Sequence, residues 1–284
     1  MIISKHWLNE WIDLSEVSGE TLSKTLNSIG LEVDSYKEIN LPKSIVVGYV
    51  KSREKHPDAD KLSVCQVDVG SETLQIVCGA KNVEAGQFVP VALIGTTMPN
   101  GLEIKKAKLR GIESCGMICS STELGLPKTN DGILPLDESI GKLKLGTSLG
   151  EFEAFKDVII EVDVTANRGD CQNLHGIARE ICTALDLNMK DNHENEDSEN
   201  LLGIGRIASV RTEDKVNGSF LYKAFELKNA LSENLLTRLR LALIECQKTN
   251  LVERLLEYAT FCTGVLFRAY DHTKLVGEGE KAVF

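Results

Sequence analysis

Two stretches of this sequence carry side chains able to do chemistry. In "HPDADKLSVCQVDVG", residues 56–70, His56, Asp58 and Asp60 alternate. An imidazole and two carboxylates are ordinary metal ligands, yet alternation brings them to one face only on an extended strand. Pro57 argues for a turn instead. Asp58 and Asp60 are then expected as Asx-turn residues that bend the chain into the strand "LSVCQVDVG", and no metal is needed. The second stretch is "KKAKLRG", where Lys105, Lys106, Lys108 and Arg110 place four cations along what reads as a bulged strand. Such a row suits phosphates; it also suits a solvated edge strand whose lysines discourage aggregation. "RGIESCGMICSSTELGL" follows directly, a Gly-, Ser- and Met-rich turn leading into a short Ser-capped helix, and adds the hydroxyls of Ser114, Ser120 and Ser121.

Other chemistries lack their signatures. No G-x-S-x-G, P-loop, H-E-x-x-H or dinucleotide fingerprint is present. Glu161 and Asp163 alternate on a strand, with nothing to single them out as an acid and a base. Eight cysteines are scattered without a C-x-x-C, which argues against both a zinc ribbon and a disulfide framework. The N-terminal "MIISKHWLNEWIDL" lacks the apolar core of an export signal and no run is long enough to span a bilayer, so a cytosolic protein is expected.

The formal charge of −10 opposes a nucleic-acid partner for the chain as a whole. Its distribution is uneven. Residues 1–38 hold 3 basic and 7 acidic side chains (net −4), residues 39–148 hold 13 and 12 (net +1), and residues 149–284 hold 16 and 23 (net −7). Only the middle segment, which contains both stretches, escapes the acidic bias.

The elements that must position these residues are legible from periodicity. Trp7, Leu8, Trp11 and Ile12 fall on one face of a helix capped by Ser4, and Leu22, Leu26 and Ile29 form the stripe of a second, capped by Ser18 or Thr21 and stopped by Gly30. "LEVDSYKEI" alternates as a strand. From residue 44 the texture changes to five glycine-punctuated runs, "SIVVGYV", "LSVCQVDVG", "LQIVCGA", "QFVPVALIG" and "LEIKKAKLRG". These predict a five-stranded OB-fold barrel with a bulge near Lys105 and Lys106. "DVIIEVDV" reads as a strand and "NLHGIAREICTALDL" as a helix capped by Asp170. Residues 191–200 read as an acidic linker, and a helical pair follows, capped by Ser232 and Asn250. The closing "GEGEKAVF" reads as a strand cut off before its partners.

"HPDADKLSVCQVDVG", "IVCGAKNVEAGQFVPVALIGTTMP", "KLRG" and "ESCGMICSSTELGL" resemble the tRNA-binding OB domain appended to several aminoacyl-tRNA synthetases, in which the His-Pro-Asp stretch is a turn. The flanks "WLNEWIDL", "GLEVDS" and "VDVTANRGDCQNLHGIARE" resemble the N-terminal part of the β subunit of bacterial phenylalanyl-tRNA synthetase, most strongly over residues 1–190, with Ala166 where that family usually has Pro. The resemblance implies an α+β multidomain chain: an OB-fold barrel (39–149) inserted in a small α+β domain (1–38 plus 150–190), followed by part of a B3/B4-type editing domain (201–284). It also implies tRNA(Phe) and a synthetase α subunit as partners in an α2β2 enzyme. Phenylalanine is joined to tRNA there with ATP and Mg²⁺, the activation chemistry lying in the α subunit, and this chain needs no cofactor of its own. No DNA or membrane partner is implied.

The last expectation concerns editing. Where the family's editing domain typically reads Gly-Gln-Pro-Met-His-Ala-Phe-Asp, this chain has "GVLFRAYD": Gly264, Ala269 and Asp271 match, and Arg268 takes the histidine's place. Arg268 and Asp271 are thus the candidates for a degenerate editing site, because a guanidinium stays protonated and cannot act as a neutral base or acceptor. The full-length protein is expected to clear tyrosyl-tRNA(Phe) poorly in a deacylation assay on mischarged tRNA. Robust hydrolysis that collapses on Arg268→Ala would contradict this.

Overall fold

A computed structural model describes residues 1–190 and 230–271. Residues 191–229 and 272–284, which include the expected acidic linker and the closing "GEGEKAVF", lie outside the described residues. Strand β1 (Ile2–Ser4) runs straight into a single helical turn, α1 (Lys5–Leu8). Ser4 is the cap, as expected: its Oγ accepts from the Trp7 N–H at 2.9 Å and donates to the buried carboxylate of Asp157 at 2.5 Å. The helix is shorter than its apolar periodicity predicts. The Asn9 carboxamide instead accepts from the Leu14 N–H at 2.7 Å, and Ile12 bridges to Met189. Helix α2 (Gly19–Ser28) starts on Ser18, buries Leu22 and Leu26, and is followed by Gly30 at φ +83°, a conformation glycine adopts without strain.

Strand β2 (Glu32–Glu38) follows, and its sheet partner is β10 (Val158–Asp163), more than a hundred residues on; β10 also pairs antiparallel with β1. The two strands that flank the central segment are therefore neighbours, which lets that segment leave and return at one place. Helix α3 (Leu174–Leu185) covers this sheet. Its cap is Asn173, whose side chain accepts from the Gly176 N–H at 2.8 Å, and not Asp170 as the sequence led us to expect. Asp170 is drawn off by Arg168, which binds its carboxylate with two N–H groups at 3.1 Å each.

Four of the five predicted barrel strands are present: β3 (Ile45–Lys55), β4 (Ser63–Asp68), β5 (Thr73–Cys78) and β6 (Phe88–Ala92). The fifth is not "LEIKKAKLRG". Residues 107–109 and 112–114 form their own hairpin, β7 (Ala107–Leu109) and β8 (Ile112–Ser114), and the fifth strand of the sheet is the two-residue β9 (Met117–Ile118). The sheet order is β5-β4-β3-β6-β9, all antiparallel. Its register breaks between Val50 and Ser52, not near Lys105 and Lys106. β3 is the shared strand. Its first half pairs with β6 and its second half with β4, and Gly48 at the changeover is tight: a Cβ there would lie 2.6 Å from Val91 and 2.9 Å from Val67. The two edges approach where the Cys115 N–H donates to the Gln75 carbonyl at 2.8 Å, nearly closing the barrel around Val50, Cys65, Val67, Ile76, Val89 and Val91.

Helices α4 (Leu235–Leu243) and α5 (Leu251–Thr263) complete the described chain. Asn250 caps α5 as expected, but α4 is capped by Asn234 rather than Ser232. The pair does not stand apart from residues 1–190. Leu235 and Leu239 join the core beneath the barrel, while Cys262, Tyr258 and Phe261 pack on the core of the β1-β10-β2 unit. Buried Arg240 ties the helices to α1: it donates to the Tyr258 hydroxyl and to Glu10, 2.6 Å each, and lies 5.1 Å over the Trp7 ring. Among the described residues no helix is long and apolar enough to cross a membrane.

The crowding at Gly48 sets an expectation for the barrel. Gly48→Ala forces two β-branched side chains apart in a packed interior and should destabilise the chain by about 1–3 kcal/mol. Urea denaturation should read this as a lower midpoint with an unchanged slope; an unchanged midpoint would show that the interior yields freely at this point.

Candidate nucleic-acid interface

The four cations lie on and beside the β7–β8 hairpin. Its register, Leu109 opposite Ile112, leaves Arg110 and Gly111 as a two-residue turn with φ of +46° and +91°. Both central residues at positive φ match the turn that follows the right-handed twist of a tight hairpin. Glycine adopts this at no cost, whereas arginine is strained there by roughly 1 kcal/mol. Strand alternation then separates two faces: Ala107, Leu109, Ile112 and Ser114 on one, Lys108 and Glu113 on the other. Ser114 is buried and Ile112 half-buried at the base, whereas Ala107, Lys108, Leu109, Arg110, Gly111 and Glu113 are all exposed, so both faces of the hairpin meet solvent toward its tip.

Two of the four cations are already paired. Lys105 meets Glu103 at 2.8 Å and Lys106 meets Glu113 at 2.9 Å, and each lysine is held above its ordinary pKa by the hydrogen bond it donates to its carboxylate partner. Lys108 and Arg110 make no ion pair within 4 Å among the described residues; Glu113, opposite Lys108, attracts it at longer range, and Arg110 at the turn is the cation most available to a phosphate.

The serines divide into two roles. The Ser114 hydroxyl accepts from the Val77 N–H and donates to the Gly116 carbonyl, 3.1 Å each, so it fastens the base of the hairpin to β5. Ser121 is also buried and accepts from the Thr129 N–H at 3.1 Å. Ser120 is only half-buried. It exchanges bonds with Glu123 in a capping box: its Oγ donates to the carboxylate at 2.7 Å, and the same carboxylate takes the Ser120 N–H at 2.6 Å. The expected helix after this cap does not propagate; residues 121–126 make successive tight turns that end at Gly125, φ +72°.

The His56 turn lies against this hairpin. His56 is 1% exposed in a turn whose neighbours Lys55, Pro57 and Asp58 are exposed. Its Nδ1 accepts from the Asp58 N–H at 3.1 Å and its Nε2 contacts the Leu109 carbonyl at 3.2 Å. An amide can only donate and a carbonyl can only accept, so the ring is the neutral tautomer with its proton on Nε2. Both nitrogens are occupied without a metal. The turn is thus bent by the histidine ring rather than by the expected aspartates, and Asp60 pairs with Lys55 at 2.6 Å.

Asp170, Cys171 and Glu180 do converge in the spacing of a cation site. The Arg168 guanidinium occupies that place: its Nη2 lies 3.1 Å from Asp170, 3.1 Å from Glu180 and 2.9 Å from the Cys171 sulfur. Burial pushes the Cys171 thiol up to about 11. Arg268 and Asp271 lie on the exposed stretch that follows Gly264, the left-handed cap of α5, far along the chain from the hairpin. A cavity of about 310 Å³ is bounded by Gly169, Asn173, Phe261 and Gly264 and contains none of the hairpin residues.

Sequence reasoning missed three members of this interface: Gln75, whose Nε2 donates to the Glu113 carbonyl at 2.9 Å; Glu113, which neutralises Lys106; and the hairpin itself. The last had a signal, since "AKL-RG-IES" is a two-residue X-Gly turn between alternating runs.

A family model described as "Putative tRNA binding domain" matches residues 45–144, from the first residue of β3 to beyond β9. The phenylalanine–tRNA ligase β subunit of Campylobacter jejuni (strain RM1221) is 56% identical over 283 residues, covering 100% of this chain and 37% of that protein. The one from Sulfurimonas denitrificans is 49% identical over 280 residues, 99% of this chain and 36% of its own length. A solved structure described as a MetRS related protein from Pyrococcus horikoshii aligns over 37% of this chain at 27% identity, with a TM-score of 0.27 that is too low to carry weight. This chain therefore spans little more than a third of the curated relatives it matches, and it belongs to the family of phenylalanine–tRNA ligase β subunits.

Proposed function

We propose that this chain holds tRNA by its sugar–phosphate backbone, as the tRNA-binding part of a phenylalanine–tRNA ligase β subunit. The observation that carries the reading is the solvent-facing hairpin tip, where Lys108 and Arg110 stand without an ion-pair partner among the described residues, inside the segment that matches the tRNA-binding family. Two to four cations on a rigid hairpin provide sequence-independent attraction to phosphates, with weak affinity and strong salt dependence. Ser120, half-buried at the edge of the same face, is the one serine placed to add a hydroxyl; Ser114 and Ser121 act by holding the hairpin and the 121–129 turns in place.

The relatives match the flanks as well as the barrel, which favours a synthetase part over a stand-alone tRNA-binding module. In the whole cytoplasmic enzyme, ATP- and Mg²⁺-dependent joining of phenylalanine to tRNA(Phe) would fall to the α subunit of an α2β2 assembly. Arg268 and Asp271 are assigned to a degenerate editing site on the resemblance alone.

Fluorescence anisotropy with unmodified tRNA across about 50–300 mM salt tests the reading. Lys108→Ala and Arg110→Ala should each flatten the slope of log K against log salt by about one unit. Lys105→Ala and Lys106→Ala should flatten it less, since those lysines leave carboxylates to bind tRNA. If replacing all four with Ala changed neither affinity nor slope, the binding face would lie elsewhere.

A further inference from the structure

The two ends of the β7–β8 hairpin are held differently. The base is sewn to β5 by several bonds: Ser114 Oγ with the Val77 N–H, the Gln75 side chain with the Glu113 carbonyl, and the Cys115 N–H with the Gln75 carbonyl. At the tip, within the described residues, a single hydrogen bond reaches from outside the hairpin, from His56 Nε2–H to the Leu109 carbonyl, one residue before the strained Arg110–Gly111 turn.

The imidazole is suited to this task and is otherwise hard to explain. A ring that is 1% exposed within an exposed turn must be covered by something, and the hairpin tip is what lies against it. Pro57 limits the backbone on one side, and the Asp58 N–H bonded to Nδ1 fixes the ring orientation on the other. The Nε2 proton is thereby aimed at one carbonyl. Free of that bond, a two-stranded ribbon with three paired residues per strand is too short to hold its own shape.

We propose that His56 is the positioning residue of the phosphate-binding hairpin: it fixes the tip, and so Lys108 and Arg110, in place on the barrel before tRNA arrives. The inference rests on the tRNA-binding reading above for its consequence, but not for the anchoring itself. Anchoring saves the ordering cost that binding would otherwise meet, so its loss weakens affinity without changing how many phosphates are contacted once bound. A cation that touches phosphate behaves differently, because its removal also flattens the salt slope.

The experiment uses the 284-residue chain and two readouts. Limited trypsin digestion reports cleavage after Arg110, which is exposed but held in a tight turn that must open before a protease can bind it in extended form; tRNA titration reports affinity and salt slope. His56→Asn keeps a side-chain acceptor for the Asp58 N–H, preserving the turn, but is too short to reach Leu109. His56→Ala loses both bonds and serves as the second variant. Both should raise cleavage after Arg110 by about five-fold or more and weaken tRNA by about three- to thirty-fold, with the salt slope unchanged. Wild-type cleavage rates in both variants would overturn the anchoring, and so would a slope flattened by a full unit, which would make His56 a phosphate contact. Faster cleavage in a chain whose wild type shows no salt-dependent tRNA affinity would support the anchoring and refute the tRNA reading instead.

Discussion

An antiparallel sheet that bends back on itself has to bring its two edges together without leaving their N–H and C=O groups unpaired, and the rest of this structure depends on how that is done. The join lies at Cys115 and Gly116. Cys115 donates its N–H to Gln75 on one edge. Gly116, at φ +146°, would place a Cβ 3.0 Å from the Ala92 carbonyl on the strand beside the other edge. A side chain there would push β6 from the crossing. The chain leaves the sheet before this join and returns after it as the two-residue β9. The excursion before the join is the basic hairpin. The same residues that complete the barrel, Ser114 and Gln75, therefore decide where the hairpin sits.

That placement resolves an apparent conflict in charge. A chain of net charge −10 repels nucleic acid at long range, and Glu103 and Glu113 neutralise half of the local cations. Lys108 and Arg110 stand exposed at the hairpin tip, and repulsion from more distant acidic groups is screened within about 8–10 Å at physiological salt. Attraction is then short-ranged and depends on geometry more than on bulk charge.

Much of this was legible in the sequence. Strands β3 to β6 announce themselves through glycine-bounded runs rich in β-branched residues, and the Ser4, Ser18 and Asn250 caps through the residues that follow them. The fifth strand was not legible because two residues carry no period, while "LEIKKAKLRG" imitates a strand that the fold does not use. The Asp170 and Ser232 caps failed for a shared reason. Local spacing offers several polar residues, and tertiary partners choose among them: Arg168 takes Asp170, and the α4 N-terminus is fixed by Asp137, which accepts from the Leu235 N–H at 2.6 Å. The candidate cations were found by type and density. Their division into paired and available members was not, since Glu113 reaches Lys106 only through the hairpin register. His56 was recognised as a turn residue; its second bond, to Leu109 fifty-three residues away, lies beyond any local pattern.

The central claim is that the β7–β8 hairpin, seated on the barrel by its base and by the His56 turn, is the surface that meets tRNA. Amide hydrogen exchange of the whole chain with and without tRNA(Phe) tests this most directly. Protection on adding tRNA should concentrate on residues 105–114 and the adjoining 56–62 turn, and should leave α4 and α5 unchanged. Protection confined to α4, α5 or the β1-β10-β2 sheet, with the hairpin exchanging as in the free chain, would contradict the account.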